Sequence, residues 1–380
     1  MKPFPQHFYI HWPFCHLKCA FCDFVAFQNH EHYQEAYCKR LCQEIVTFCA
    51  QYPAADRLLT TIFIGGGTPS MCPLPLFERI MQTIYQETDC SAVSEITIET
   101  NPSDITDQRL AAWRKLGINR LSIGVQCLDD DVLEKLNRKQ RVSDVERALS
   151  LAPSYFNNIS VDLILGLPGI REDAWKDTIA KVVTWPIKHI SVYFLMVHEK
   201  TPLAFALKKG DLSLLSDNTQ VRIYEWTVKM LEQHGFEQYE ISNFSRSGCA
   251  SVHNSAYWDR RPYQGFGVGA ASFDGAIRSI NTNNLSAYLA ADSAMPPCTR
   301  EVLTPQQEFM EVLMLSLRQK RGIDLQHMVY FLNDCQNLGF KSKIADLVAA
   351  GLMEEHQGFV RLTLKGMALE NEVVVWLSSL

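Results

Sequence analysis

The sequence has no surplus of positive charge: 36 lysines and arginines stand against 42 aspartates and glutamates, a net charge of -6 at pH 7. That balance gives no electrostatic footprint for nucleic acid or an anionic membrane surface. The compact basic clusters, Arg260-Arg261 and the turn from Arg318 to Arg321, read as solvated surface. No apolar run reaches the length of a membrane span. The N-terminus, where His7, His11 and two prolines interrupt the apolar residues, does not resemble a signal peptide. Low-complexity tracts are missing, and so are repeats beyond alternating strand and helix patterns. A cytoplasmic location follows as the expectation, and with it reduced thiols for the twelve cysteines rather than a disulfide framework.

What is present begins with three of those cysteines. Cys15, Cys19 and Cys22 are spaced C-x3-C-x2-C in the run Tyr9-Ile-His-Trp-Pro-Phe-Cys15-His-Leu-Lys-Cys19-Ala-Phe-Cys22. Three thiolates from one short loop can hold three irons of a cubane [4Fe-4S] cluster and leave the fourth iron open. Steps of four and three would also line up on one helix face, but Pro13 and the interspersed aromatics argue for a loop after a strand. A zinc site needs a fourth ligand, and neither Asp23 nor His16 completes a familiar pattern. Cys38, Cys42 and Cys49 fall on one helix face with Ile45 and read as core filler.

Periodicity in the first half alternates short apolar strands, at 8–11, 61–64, 96–99, 120–124, 159–163 and 190–193, with amphipathic helices at 33–49, 76–85, 107–116, 131–136 and 172–183. Six such units imply a parallel sheet with right-handed crossovers, either partly closed as a barrel or open and doubly wound, with its site at the C-terminal ends of the strands. Polar or glycine residues stand at those ends: Gly65-Gly66-Gly67-Thr68 after the second strand, Glu99 and Asn101 at the third, Gln126 after the fourth and Asp162 in the fifth. The cysteine loop follows the first. After about residue 200 the pattern changes to a long helix at 217–234, a strand at 236–241 and a glycine-rich stretch at 264–272. Helices dominate from Thr304, ending in a winged-helix-like strand at 359–364 and a last helix. Three segments are therefore expected: 1–200 carrying the cluster site, 201–300 as an α/β region, and 301–380 as a helical C-terminal domain.

The cysteine motif and the glycine turn together resemble the radical S-adenosylmethionine (SAM) superfamily. Nearly the whole chain resembles the oxygen-independent coproporphyrinogen III oxidase-like family, and within it the HemW heme chaperones. The matching stretches are Tyr9-Ile-His-Trp-Pro-Phe-Cys15, Ile64-Gly-Gly-Gly-Thr-Pro69, Ile98-Glu-Thr-Asn-Pro102, Leu121-Ser-Ile-Gly-Val-Gln126, Asp162-Leu-Ile-Leu-Gly-Leu-Pro168 and Tyr239-Glu-Ile-Ser-Asn-Phe244. The resemblance implies a partial (β/α)6 barrel of the TIM type with a C-terminal α+β, winged-helix-like region. It implies a [4Fe-4S] cluster on Cys15, Cys19 and Cys22, with SAM chelating the open iron. Gly66, Gly67 and Thr68 would line the SAM site, Glu99, Gln126, Arg138 and Asp162 would hold ribose and methionine carboxylate, and Tyr9 and Phe21 would pack around it. A surface ion pair is the plainer reading of Arg138, and core packing that of the two aromatics.

The run His253-Asn-Ser-Ala-Tyr257-Trp258 resembles the heme-binding motif of the chaperones, with His253 on the iron and Tyr257 and Trp258 as flat apolar surface. The implied partners are heme, client hemoproteins of the respiratory kind and an electron donor for the cluster. The oxidases carry a fourth cysteine two residues beyond the third, where this chain has Phe24, and a longer N-terminal extension, where fourteen residues precede Cys15 here. Two functions from different classes follow: heme binding and delivery, or oxidation of coproporphyrinogen III by radical decarboxylation. A radical SAM enzyme with an unrelated substrate is a third. Ala271, where the chaperones often show histidine, and the altered segment 195–201 depart from the pattern and bear on the porphyrin pocket.

Overall fold

Residues 3–291 and 295–379 are described by a computed structural model. Six strands, β1 (His7–Trp12), β2 (Thr61–Gly66), β3 (Glu95–Thr100), β4 (Arg120–Gln126), β5 (Asn158–Leu165) and β6 (His189–Phe194), lie side by side in that order, all parallel. Between them run α1 (Gln34–Cys49), α2 (Leu74–Glu87), α3 (Asp107–Lys115), α4 (Asp130–Lys135), α5 (Val142–Leu151) and α6 (Glu172–Val182). The expected strands and helices of the first half are present, with ends moved by one or two residues.

Parallel strands covered on both faces usually read as continuous apolar runs. These alternate. Phe8, Ile10, Ile62, Ile64, Ile96, Ile98, Leu121, Ile123, Ile159, Val161, Ile190 and Val192 are buried in the core, each worth about 1.5–3 kcal/mol of hydrophobic burial. The alternate positions carry His7, Tyr9, Thr61, Glu95, Glu99, Arg120, Ser122, Ser160, Asp162 and His189. They hydrogen-bond to one another across the strands, as in His7–Thr61, Ser122–Asp162 and Ser160–His189. The sheet therefore wraps an apolar shell around a polar lumen.

Beyond β6 come α7 (Pro202–Lys209), α8 (Asp217–Gln233), and the strands β7 (Glu237–Glu240) and β8 (Asn243–Ser245), which pair antiparallel on the β6 edge. A seven-residue helix, α9 (Val252–Trp258), follows. The chain then returns to the other edge, where β9 (Tyr263–Phe266) pairs in parallel with β1. Next to it lie β10 (Ala271–Phe273), β11 (Ile277–Asn281) and β12 (Cys298–Val302), antiparallel. The glycine-rich stretch expected from sequence is thus the turn between two strands of the same twelve-stranded sheet.

Helix α9 shows that the sheet curls. Its His253 ring lies 6.2 Å from His7 of β1. The backbone N–H of Ser251 donates to the Tyr239 hydroxyl at 3.4 Å, and that hydroxyl is 2.8 Å from His189 Nε2 of β6. In a flat sheet β1 and β6 would stand about 24 Å apart. Only a barrel-like curve brings both to one short helix, which plugs the lumen at the N-terminal ends of the strands. After the short helix α10 (Leu285–Leu289), helix α11 (Pro305–Arg318) packs beside α9 and leads into a three-stranded antiparallel sheet. Helices α12 (Asp334–Ala349) and α13 (Glu370–Ser378) complete the winged-helix-like end. Among the described residues no helix is long and apolar enough to cross a membrane.

Candidate functional site

Strand β1 delivers the chain to Pro13, and the cysteine loop begins there. At its root Phe14–Cys15 pairs with Phe27–Gln28. At its tip Ala20 N–H donates to Leu136 O at 2.9 Å, and Leu203 N–H donates to Ala20 O at 2.9 Å. The glycine turn after β2 lies directly against this loop. Gly67 N–H donates to Trp12 O (2.8 Å) and Thr68 N–H to Phe14 O (2.9 Å), while the Thr68 hydroxyl reaches Cys15 Sγ at 3.2 Å. A Cβ on Gly67 would sit 2.9 Å from Cys15 Sγ and 2.8 Å from Phe14 O, so any side chain here would push the loop away. Gly66 has φ 114°, and its Cβ would meet the His11 ring at 2.7 Å.

Burial raises the Cys15 thiol to about 11 against the hydrogen bond from Thr68, and neighbouring Cys22 and Cys19 add to the rise. Burial raises Cys22 as well. Three thiols close enough to oppose one another's ionisation form a donor set that metal binding would deprotonate and discharge. Among the described residues no three His, Cys, Asp or Glu side chains are gathered around a point suited to a single metal ion. Arg138 ties this loop to the next strand ends: Nη1 donates to Cys19 Sγ (3.3 Å), Nη2 to Asn101 Oδ1 (2.9 Å) and Gly124 O (3.0 Å), and Nε to Gln140 Oε1 (3.0 Å). It stands in the turn after α4, turned inward, rather than in a surface ion pair on a helix.

The remaining rim residues converge as the strand-end rule requires. Glu99 accepts from Gly66 N–H at 3.1 Å. Burial, helped by the charge of Asp162, lifts it to about 7. Asp162 accepts from the Ser122 hydroxyl at 2.9 Å, its Oδ1 is buried with no hydrogen-bond partner among the described residues, and burial raises it too. Gln126 ends β4 at φ 68°, a left-handed backbone that a non-glycine residue adopts at some cost. Gly124 makes room for it, since a Cβ there would lie 2.8 Å from Gln126 Nε2. Tyr9 stacks on Phe63 at 6.1 Å and its hydroxyl is 3.0 Å from His11 Nδ1. Phe21 packs against the core edge in the cysteine loop. An orphaned acceptor, a turn only glycine can form and three thiols in one loop suit a cluster with a polar ligand beside it.

Beside this rim opens a cavity of about 630 Å³, within the range of cofactor sites. Tyr9, Phe24, Tyr257, Trp258, Tyr263, Ala271 and Phe273 line it from the core. Glu311, Met314 and Leu315 of α11 close it from the C-terminal side. Phe24 is 64% exposed at its edge. Segment 195–201, which departs from the family pattern, folds over the cysteine loop: His198 pairs with Asp23 at 3.3 Å.

The structure corrects the reading of His253. The run forms helix α9, and the imidazole, expected on the heme iron, is fully buried. Its Nδ1 is 2.7 Å from Thr61 Oγ1 and its Nε2 is 2.8 Å from Tyr257 Oη. Burial pushes it down to about 3, so it is neutral. With both nitrogens taken, it offers none to iron in this arrangement. Tyr257 and Trp258 do reach the cavity.

Sequence reasoning missed α11 as a wall of the cavity, and with it Arg278, which pairs with Glu311; it read Arg260 as solvated surface, whereas that side chain is largely buried in the cavity wall and pairs with Glu308 and Glu311. It also missed Glu95, which holds the N-terminus of α9: it accepts from Val252 N–H (2.8 Å), His253 N–H (3.1 Å) and the Ser251 hydroxyl (3.1 Å). A carboxylate aligned in β3 two places before Thr97 gives no local signal of a partner 156 residues away.

Residues 9–182 match the radical SAM superfamily, and residues 303–369 match the HemN C-terminal domain. The heme chaperone HemW of Bacillus subtilis (strain 168) is 35% identical over 372 residues, covering 96% of this chain and 97% of that protein. The heme chaperone HemW of Lactococcus lactis is 31% identical over 97% of this chain and 96% of its own. The coproporphyrinogen III oxidase HemN of Escherichia coli, a radical SAM enzyme, superimposes with a TM-score of 0.84 over 99% of this chain and 91% of its own, at 24% identity, and shares the fold. The superfamily implies a [4Fe-4S] cluster and SAM. With a cysteine loop clamped to a glycine turn at the rim of a six-stranded parallel barrel, and relatives that match it from end to end, the chain belongs to the radical SAM superfamily and, within it, to the HemW family.

Proposed function

We propose that this protein is a heme chaperone: it binds heme in the cavity beside the cysteine loop and passes it to client hemoproteins, respiratory ones among them, in the cytoplasm. The observation that carries the reading is the cavity itself. It is walled by flat rings, Tyr257 and Trp258 among them, and Phe24 stands at its edge, at the position where the resemblance to the oxidases implies a cysteine. The heme chaperones that this chain matches along nearly their whole length support it.

In this reading Cys15, Cys19 and Cys22 hold a [4Fe-4S] cluster and SAM lies over Gly66, Gly67 and Thr68. Bound there, the pair supplies one-electron chemistry, fed by an external electron donor. The chain's own residues do the positioning. Glu99, Gln126, Arg138 and Asp162 hold the ribose and methionine ends, Tyr9 and Phe21 exclude water, and Arg138 keeps Cys19 and the β4 end in register. Residues 1–200, 201–300 and 301–380 then act as cluster core, heme-facing region and cavity lid. Phe24 can neither donate a proton nor bind metal, so decarboxylation of coproporphyrinogen III lacks a group that the oxidase pattern supplies at this place.

The test incubates anaerobically reconstituted protein separately with heme and with coproporphyrinogen III. A stable heme complex without protoporphyrinogen IX is the expected result. Multiple-turnover decarboxylation with no retained heme would replace this reading with that of the oxidase.

A further inference from the structure

We propose that the iron of the bound heme is ligated by the phenolate oxygen of Tyr257, with His253 as the residue that positions it. This rests on the heme-binding reading above and names the ligand within it. Tyr257 lines the cavity, and among the described residues its hydroxyl has one hydrogen-bond partner, His253 Nε2 at 2.8 Å. His253 is itself fixed from behind. Its Nδ1 shares the Thr61 hydroxyl with His7 Nδ1, at 2.7 and 2.8 Å.

A hydroxyl has one proton, so the Thr61 oxygen donates to one imidazole and accepts from the other. When His7 donates to Thr61 and Thr61 donates to His253 Nδ1, the proton of His253 is on Nε2 and points at the tyrosine oxygen. That tautomer turns Tyr257 into an acceptor and leaves its own O–H free to face the cavity. Iron binding then forms the Fe–O bond and breaks the phenol O–H. The proton leaves to water, no electron moves, and neutral His253 donates to the phenolate. Tyrosine is an established ligand of ferric heme iron, and a hard anionic oxygen suits the ferric state.

The rest of the cavity fits the same occupant. Trp258, Phe273 and Leu315 give flat apolar walls for a macrocycle. Arg260 lines the cavity with its Nε and Nη1 paired to Glu311 and Glu308 and, among the described residues, no partner for its Nη2. A guanidinium in this wall suits a propionate carboxylate.

The experiment titrates ferric heme, and separately iron-free protoporphyrin IX, into wild type, Tyr257→Phe, His253→Ala and His198→Ala, reading absorbance, electron paramagnetic resonance and affinity. Wild type should show a phenolate-to-iron charge-transfer signature. Tyr257→Phe should lose it and bind ferric heme about tenfold or more weakly, while binding protoporphyrin IX within about twofold of wild type, since the ring that packs remains. His253→Ala should keep the signature with weaker ferric affinity. An imidazole-type spectrum in wild type that survives Tyr257→Phe and vanishes in His253→Ala or His198→Ala overturns the ligand assignment alone. Equal loss of heme and iron-free porphyrin in Tyr257→Phe reduces the residue to packing and also overturns it. No complex with heme in any protein overturns the heme-binding reading along with it.

Discussion

Glu95 and Glu99 sit on the same strand, face the same lumen and differ in what the chain provides for them. Glu95, at the floor, is buried and accepts three hydrogen bonds at the start of α9. Glu99, at the rim, accepts from the Gly66 N–H, and burial with the charge of Asp162 raises it to about 7. At the floor His7, Thr61 and His253 share hydrogen bonds and Glu95 caps α9, while Arg120 Nε and Nη1 are buried there with no partner among the described residues. The rim keeps an Asp162 oxygen with no partner among the described residues and a Cys15 thiol whose ionisation burial and its neighbouring cysteines oppose. In one barrel, the floor is tied together by long-range hydrogen bonds that build the fold, and the rim gathers the groups that suit a ligand.

The largest effect that tests this division is at the cysteines. Anaerobic reconstitution should give roughly four irons per chain with a cubane spectrum, and Cys19→Ala should abolish it with the fold retained. Cys38→Ala and Cys127→Ala, whose thiols are buried away from the loop, should keep a full cluster. A full cluster in Cys19→Ala would erase the rim assignment.

Next in size is the floor. Glu95→Gln removes the charge that holds three donors and should cost about 3 kcal/mol of stability in denaturant titration. An unchanged unfolding midpoint would mean that the floor is no more built-in than the rim. Glu99→Gln should behave oppositely, weakening SAM about tenfold while the melting temperature stays within a few degrees. A large stability loss with normal SAM affinity would make Glu99 a second Glu95.

The smallest effect is in pH. Glu99 rises from an ordinary 4.5 to about 7 on folding, so between those values the folded protein holds a proton that the unfolded chain has released. Its contribution to stability is complete below pH 4.5 and is lost as pH rises through 7, by about 1 kcal/mol after allowing for its partial exposure. Comparing urea midpoints of wild type and Glu99→Gln from pH 5 to 8 should show the slope flattened in the variant. Parallel slopes would contradict the assignment.

The strands and cysteine loop were legible because both signals are local. Ile62, Ile64, Ile96 and Ile98 mark a period of two, and Cys15, Cys19 and Cys22 are neighbours in sequence. The rim residues could be found because strand ends collect them whatever the helices do. Helix α9 was not legible, since seven residues hold less than two full turns of pattern, and His253 without its floor partners reads as an exposed ligand. Strand β9 was hidden because Gly265 and Gly267 weaken a strand signal, although β1 on one side and β10 on the other hold it in place. Met314 and Leu315 looked like any apolar stripe of an amphipathic helix. Only the fold turns that stripe into the wall of a cavity.

The plug of the lumen also sets a schedule for synthesis. His253 reaches Thr61 across 192 residues and Glu95 across 158, and β1 gains its second neighbour only when β9 has been made. A nascent chain that has just completed β6 already carries all six parallel strands, yet its lumen is open at the bottom and β1 is a bare edge. At ribosomal rates of 5–20 residues per second, the roughly 70 residues still to come keep it in that state for about 3–14 s. Contacts of such long range close slowly even after release. The first half of this barrel is therefore a species that needs shielding from aggregation during translation, and its closure waits on helix α9, made only after all six parallel strands.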